Sequence, residues 1–139
     1  MTIEASITDD VATCHAIRAE VFVVEQGISL EEDIDGLDEE ATHFLLHVDG
    51  SAVGTARVLV SDGVGKVGRV AILKSHRGQG LGNVIMGAIS DHARDAGLKK
   101  LVLGSQTTAT GFYEGLGYVA EGDEFMDAGI PHMTMVLEL

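Results

Sequence analysis

RVAILKSHRGQGLG, residues 69–82, sets a run of β-type apolar residues directly before an arginine and three glycines, and a helix-like pattern follows it. A strand that passes through such a turn into a helix aims several backbone N–H groups at one spot, and the helix N-terminus adds partial positive charge there. The turn Arg77-Gly78-Gln79-Gly80-Leu81-Gly82 therefore reads as a cradle for an anion. Glycine suits it because a Cβ would block close approach to the backbone. The helix dipole supplies only about 0.3–1 kcal/mol, whereas each charge-assisted N–H bond supplies about 1.5–3 kcal/mol. A few such bonds offset the repulsion of a chain whose net charge is −13.

That charge is unevenly spread. Residues 63–90 contain no Asp or Glu, yet Lys66, Arg69, Lys74 and Arg77 all fall there, so a cationic window surrounds the turn. Over the whole chain 22 acidic residues against 9 basic ones repel phosphodiester backbones and anionic lipid, so neither nucleic acid nor a membrane is expected as partner. With 139 residues, 45% hydrophobic and 22% charged, the chain fits a single globular domain over residues 1–139, large enough to need no disulfide or metal. No window approaches the roughly 18 continuous apolar residues of a membrane span. The start, MTIEASITDD, lacks the order of a secretion signal, and the single cysteine cannot form an internal disulfide. The expected location is the cytoplasm.

Working outward from the turn, KVGRVAIL before it is a strand, and the stripe Val84, Ile85, Ala88, Ile89, His92 or Ala93, and Ala96 after it is a helix that Gly97 caps. HFLLHV and AVGTARVLV precede KVGRVAIL as strands joined through DGS and SDGVG turns, so the middle of the chain predicts an antiparallel meander. Upstream, TIEASI is a first strand. Asp9 or Asp10 caps a helix through Val11, Cys14, Ile17, Val21 and Val24 that Gly27 ends. The segment LEEDIDGLDEE (30–40) is expected to be a solvated loop, too charged to pack, with Asp33, Asp35 and Asp38 in water. Downstream, KKLVLGS is a strand, ATGFYEGLGY a brief helix closed by Gly117, and two strands flank a turn at residues 129–131.

Two nucleotide motifs fail on spacing. The glycines near Lys66 lack the first glycine and the Ser or Thr of a Walker loop, and Asn83 or Val84 stands where a dinucleotide fingerprint needs its third glycine. The turn instead resembles the coenzyme A signature of the GNAT acyltransferase superfamily, Gln/Arg-x-x-Gly-x-Gly/Ala, through Arg77, Gly80 and Gly82. The likeness spans essentially the whole chain. It narrows to the ElaA-like branch through IRAEVFVVEQGI (17–28), GTARV (54–58), GRVAIL (68–73), GFYEGLGY (111–118) and GIPHMTM (129–135).

The resemblance implies an α/β (α+β) GNAT acyl-CoA N-acyltransferase fold: a mixed, mostly antiparallel central sheet with flanking helices. It implies acetyl-CoA as co-substrate and no metal. The coenzyme's diphosphate would sit on Arg77, Gly78, Gln79, Gly80, Leu81 and Gly82, and its pantetheine arm would pair like an added strand with Val70, Ala71 and Ile72. Gln106 stands where many members carry Asn; its amide is a further pantetheine contact.

An amine must be neutral to attack a thioester, and a lysine-like amine with pKa about 10.4 is only roughly one part in two thousand neutral at pH 7. A base is therefore required, with His132, then His43, then Glu25 as the candidates in that order. A main-chain N–H near Ala71 and Ile72 is placed to serve the oxyanion. Tyr113, in the family's FY position, is the candidate acid for the departing thiolate. Phe112 beside it is read as core packing. Arg57 and Arg69, in mid-strand, are expected to meet carboxylates of the acidic loop. Cys14 reads as core, and His15, His47, His76 and His92 show no metal spacing.

The resulting expectation is an N-acetyltransferase whose acceptor is a small-molecule or peptide amine. The alternatives are a coenzyme A-binding module without turnover, and a synthase of acyl-homoserine-lactone type, suggested by Asp33-x-Asp35-x-x-Asp38 with Arg57. The oligomeric state, a homodimer included, stays open.

Overall fold

A computed structural model describes residues 1–139. The hairpin signals of the first half produce the meander they predict. β1 (Ile3–Thr8), β2 (Thr42–Val48), β3 (Ser51–Ser61) and β4 (Val64–Ile72) lie side by side, each antiparallel to the next. The tight turns carry left-handed φ at both central residues, +50° and +83° at Asp49-Gly50 and +52° and +77° at Asp62-Gly63. That pairing matches the strand twist and explains why Asp-Gly occupies both.

After β4 the chain crosses over through α3 (Leu81–Asp95) and returns as β5 (Lys100–Gln106), parallel to β4. For this numbering, α1 is Val11–Arg18 and α2 is the single turn Leu30–Asp33. A short α4 (Thr110–Gly115) follows β5, and the last two strands, β6 (Val119–Asp127) and β7 (Ile130–Glu138), complete a seven-stranded sheet in the order β1-β2-β3-β4-β5-β7-β6. The mixed, mostly antiparallel sheet with flanking helices is the predicted class.

Two apolar clusters sit on the two faces of the sheet. Phe44 and Leu46 of β2 enter the larger one, with Leu81, Ile85, Met86, Ile89 and Ala93 of α3, while Leu45 enters a smaller one with Cys14, Ile17, Val21 and Ala71. Alternation along a strand buried on both sides explains why HFLLHV is almost uninterrupted in apolar residues. Burying Leu81, Ile85, Met86 and Ile89 contributes roughly 6–12 kcal/mol before chain entropy is counted, at about 1.5–3 kcal/mol per side chain. Of the stripe read from the sequence, Ile85, Ile89 and Ala93 are buried on this face, whereas Val84 is 37% exposed and Met86, outside that stripe, is buried in its place.

The first helix departs from expectation. Asp10 caps it by accepting from Thr13 N at 3.2 Å, and Gly27 ends it with φ +71°, both as predicted. Between them α-helix stops at Arg18 and Ala19–Glu25 winds as a π-helical segment. Its i→i+5 bonds shift successive side chains off the 3.6-residue stripe. Val21 stays buried, and Val24, expected on the apolar face, is 77% exposed.

Candidate active site

Strands β4 and β5 pair only from Val64↔Lys100 to Val67↔Leu103 and then part. The cause lies in β4. Thr55 of β3 pairs with Ala71, but Arg57, two residues on, pairs with Gly68 three residues back, so β4 holds one extra residue there. Arg69 absorbs it with φ +54°, a left-handed value in mid-strand. Beyond the bulge, residues 68–72 present an edge that β5 no longer pairs, while β5 itself stays bonded to β7 as far as Gln106↔His132. A fork opens in the sheet.

The fork points at the glycine turn. Gly78 and Gly80 have φ of +77° and +76°, and a Cβ on either would meet no protein atom within 4 Å. Handedness of the backbone explains these two glycines from within the protein. Gly82 differs: a Cβ there would lie 2.9 Å from the Phe112 ring, so this glycine lets α4 pack on the start of α3. No side chain caps α3, and its first turn has no acidic residue, so its leading N–H groups stay available to an anion.

Two consecutive residues of the π-helical segment's end reach the two sides of the fork. Arg77 donates from Nη1 and Nη2 to the Glu25 carboxylate at 2.8 and 2.6 Å, and from Nε to the Ile72 carbonyl at 2.9 Å. Gln106 donates to Gln26 Oε1 at 3.0 Å. The Arg77 bonds hold the Glu25 carboxyl below its ordinary range. A carboxylate so held is a weak proton acceptor, which counts against Glu25 as the base.

His132 stands directly across β5–β7 from Gln106, hence on the same face of the sheet. Its ring stacks on Phe125, and Nδ1 lies 2.7 Å from the Ile130 carbonyl oxygen. A carbonyl only accepts, so Nδ1 carries the hydrogen, and in the neutral ring the lone pair is on Nε2. Tyr113 lies on the other face, where it packs on the α3 core beside Phe112 and Tyr118. Burial pushes its phenol up to about 12. His132 and Tyr113 thus flank the sheet from opposite faces, with the fork as the passage between. His43 is elsewhere: it sits two strands from β4, about 10 Å by strand spacing, and its Nε2 lies 2.8 Å from the Asp38 carbonyl.

The acidic loop corrects its reading. It packs, because three arginines meet its three aspartates. Arg18 holds Asp33 at 3.2 Å and Asp38 at 2.8 Å; Arg57 holds Asp35 at 2.9 Å and Asp38 at 3.0 Å; Arg69 holds Asp35 at 3.2 Å. Asp33 is 2% exposed, far from the expected solvation. The Arg57 bonds hold Asp35 well below the usual carboxylate range. At Asp38 burial pushes upward, yet bonds from Arg18, His15 and Arg57 together keep it low. The partnering expected for Arg57 and Arg69 is what forms. Arg18 lies outside the residues singled out in the sequence, although its position, four residues after Cys14 and three before Val21, puts a cation on the buried stripe. Gln26 carries no such signal.

The acetyltransferase (GNAT) domain matches residues 8–139. The chain is a GNAT acetyltransferase. Among its GNAT relatives, an uncharacterized N-acetyltransferase of Bacillus subtilis, YjcF, is 44% identical over 121 residues, 86% of each chain. The crystal structure of Escherichia coli ElaA superposes with a TM-score of 0.87 at 27% identity, covering 99% of this chain and 100% of that one. An acyl-CoA N-acyltransferase from Pseudomonas aeruginosa does so at 0.87 and 28%, covering 97% and 99%. In this GNAT protein no His, Cys, Asp or Glu side chains gather as a metal-ligand set, and no helix is long and apolar enough to cross a membrane.

Proposed function

We propose that the protein transfers an acetyl group from acetyl-CoA to the amine of a small molecule or peptide, by direct attack within a ternary complex in the cytoplasm. The observation that carries this reading is the alignment of a strand edge that β5 leaves unpaired, residues 68–72, with the uncapped, glycine-rich start of α3. The residues present fit the coenzyme: an extended, amide-bearing arm takes a strand edge, and a diphosphate takes helix N–H groups.

Acetyl-CoA supplies a thioester carbon open to attack. Val70, Ala71 and Ile72 offer their main chain to the pantetheine arm, and the Gln106 amide stands at the far side of the fork. Residues 78–82 offer N–H groups to the diphosphate, with Arg77 as the adjacent cation. His132 Nε2 takes one proton from the arriving amine as the C–N bond forms. A main-chain N–H at Ala71 or Ile72 meets the negative charge that grows on the carbonyl oxygen. As the C–S bond breaks, Tyr113 donates a hydrogen bond to the sulfur. A phenol held up to about 12 is a weaker acid than a thiol of pKa about 8.5, so it steadies the thiolate and solvent completes its protonation.

Release of free thiol from acetyl-CoA across an amine and peptide panel tests the reading, with a long-chain acyl thioester beside acetyl and Arg77→Glu as control. Turnover with acetyl-CoA that Arg77→Glu abolishes is expected. Tight binding without thiol release identifies a binding module instead, and preference for the long acyl chain points to the synthase alternative.

A further inference from the structure

Arg69 is an arginine held at φ +54° in the middle of a strand, and this residue is the extra one whose insertion parts β4 from β5. Side-chain-bearing residues leave that backbone region unless their surroundings hold them there. The surroundings here are built for that purpose. Arg69 Nε donates to the Asp33 carbonyl at 3.2 Å, and Nη2 to the Glu32 carbonyl at 3.3 Å and to Asp35 at 3.2 Å. These acceptors cannot drift, because Arg18 donates to the Asp33 carbonyl at 2.7 Å and Arg57 grips Asp35 and Asp38 from β3. The acidic loop is therefore a fixed bracket, anchored from α1 and β3, with Arg69 as its only grip on β4 among the ion pairs.

We infer that Arg69 is a positioning residue: through its bonds to residues 32–35 it holds the β4 bulge open, and so keeps the main-chain groups of Val70, Ala71 and Ile72 presented to the acyl donor's arm. The inference rests on the coenzyme reading above. It gives the acidic loop a role in donor binding that its distance from the glycine turn conceals. Loss of the arginine while a Cβ remains lets the strand relax toward ordinary φ and close on β5. Loss of the arginine together with the Cβ leaves the bulge conformation free of steric cost.

Two ligands separate the strand from the turn: 3′-phospho-ADP, the coenzyme's nucleotide end, reads residues 77–82 alone, and acetyl-CoA reads the turn and the strand edge together. Calorimetric titration of the full chain is expected to show Arg69→Ala binding acetyl-CoA about tenfold more weakly than wild type, with 3′-phospho-ADP affinity unchanged. Arg69→Gly recovers acetyl-CoA affinity to within about threefold of wild type. Asp35→Asn, which loosens the bracket and the Arg69 bond to it without replacing a residue of β4, weakens acetyl-CoA in the same direction and serves if Arg69→Ala does not fold. Wild-type binding of acetyl-CoA with Arg69→Ala or Asp35→Asn unchanged overturns this inference alone. Equal weakening in Arg69→Ala and Arg69→Gly overturns it too, since that pattern marks a direct contact with the ligand. Absence of acetyl-CoA binding by the wild-type chain overturns the coenzyme reading, and this one with it.

Discussion

Glu25 and Arg77, 52 residues apart in sequence, form a two-pronged ion pair across the mouth of the fork, with both carboxylate oxygens taken by one guanidinium. The same arginine is the side-chain cation of the glycine turn. A diphosphate arriving there and the Glu25 carboxylate therefore compete for one partner. The Arg77 side chain is 41% exposed and that of Glu25 27%, so the competition is screened and modest. Glu25→Gln is expected to tighten acetyl-CoA binding by about threefold to tenfold at low salt, with the gain fading as ionic strength rises. An unchanged or weakened affinity means that the pair organises the turn and does not compete with the ligand.

Tyr113 is expected to act on the sulfur alone. Tyr113→Phe keeps the ring, its edge-on packing with Phe112 and Tyr118, and the apolar burial. Acetyl-CoA affinity should hold while kcat falls by at least about tenfold. Because burial raises the phenol to about 12, the hydroxyl stays protonated through the usual assay range, and the deficit should be the same from neutral to mildly alkaline pH. A steady-state pH series checks this. A KM effect with kcat preserved assigns the ring to binding.

The parts of this architecture that repeat with a short period were legible in the sequence. The α3 stripe, the Asp-Gly hairpins and the doubly covered β2 follow from local rules, and so does the glycine turn before α3. What stayed hidden depends on partners distant along the chain. Asp33, Asp35 and Asp38 read as solvated because their arginines lie on α1, β3 and β4, and a local count of charge cannot see them. The Arg69 bulge leaves no residue-type signature, since an arginine is the wrong residue for a left-handed φ. Glu25 as a candidate base and Arg77 as a phosphate ligand each made chemical sense alone; only the structure brings them against each other.

His132 is the residue whose loss should change the pH dependence in kind. In the neutral ring its Nε2 lone pair is the acceptor beside the fork, given the Nδ1 bond to the Ile130 carbonyl. His132→Ala leaves hydroxide and buffer to deprotonate the amine. With a lysine-like acceptor of pKa about 10.4, the logarithm of the rate should then climb by about one per pH unit through neutrality. At pH 7 the loss should be on the order of a hundredfold in kcat, with acetyl-CoA affinity intact. A variant that keeps the wild-type profile removes His132 from the proton path.

The arginine–aspartate bracket ties stability to acid. In the folded protein Asp35 is held low chiefly by its bonds from Arg57, and Asp38 is held low by Arg18, His15 and Arg57 against the opposing effect of burial. Each carboxylate therefore binds its proton more readily in the unfolded chain. The stability they contribute is fully present above the unfolded value of about 3.9 and is lost as pH falls from there toward the depressed folded values. The unfolding temperature should be nearly flat between about pH 7 and 5 and drop steeply below about pH 4. Asp38→Asn leaves Arg18 and Arg57 each short of one partner, which should cost about 3 kcal/mol at neutral pH. It should also flatten the acid slope, because one proton-linked group is gone. Thermal unfolding followed by circular dichroism across that pH range reads both effects. A variant with the wild-type acid slope shows that other carboxylates control the transition.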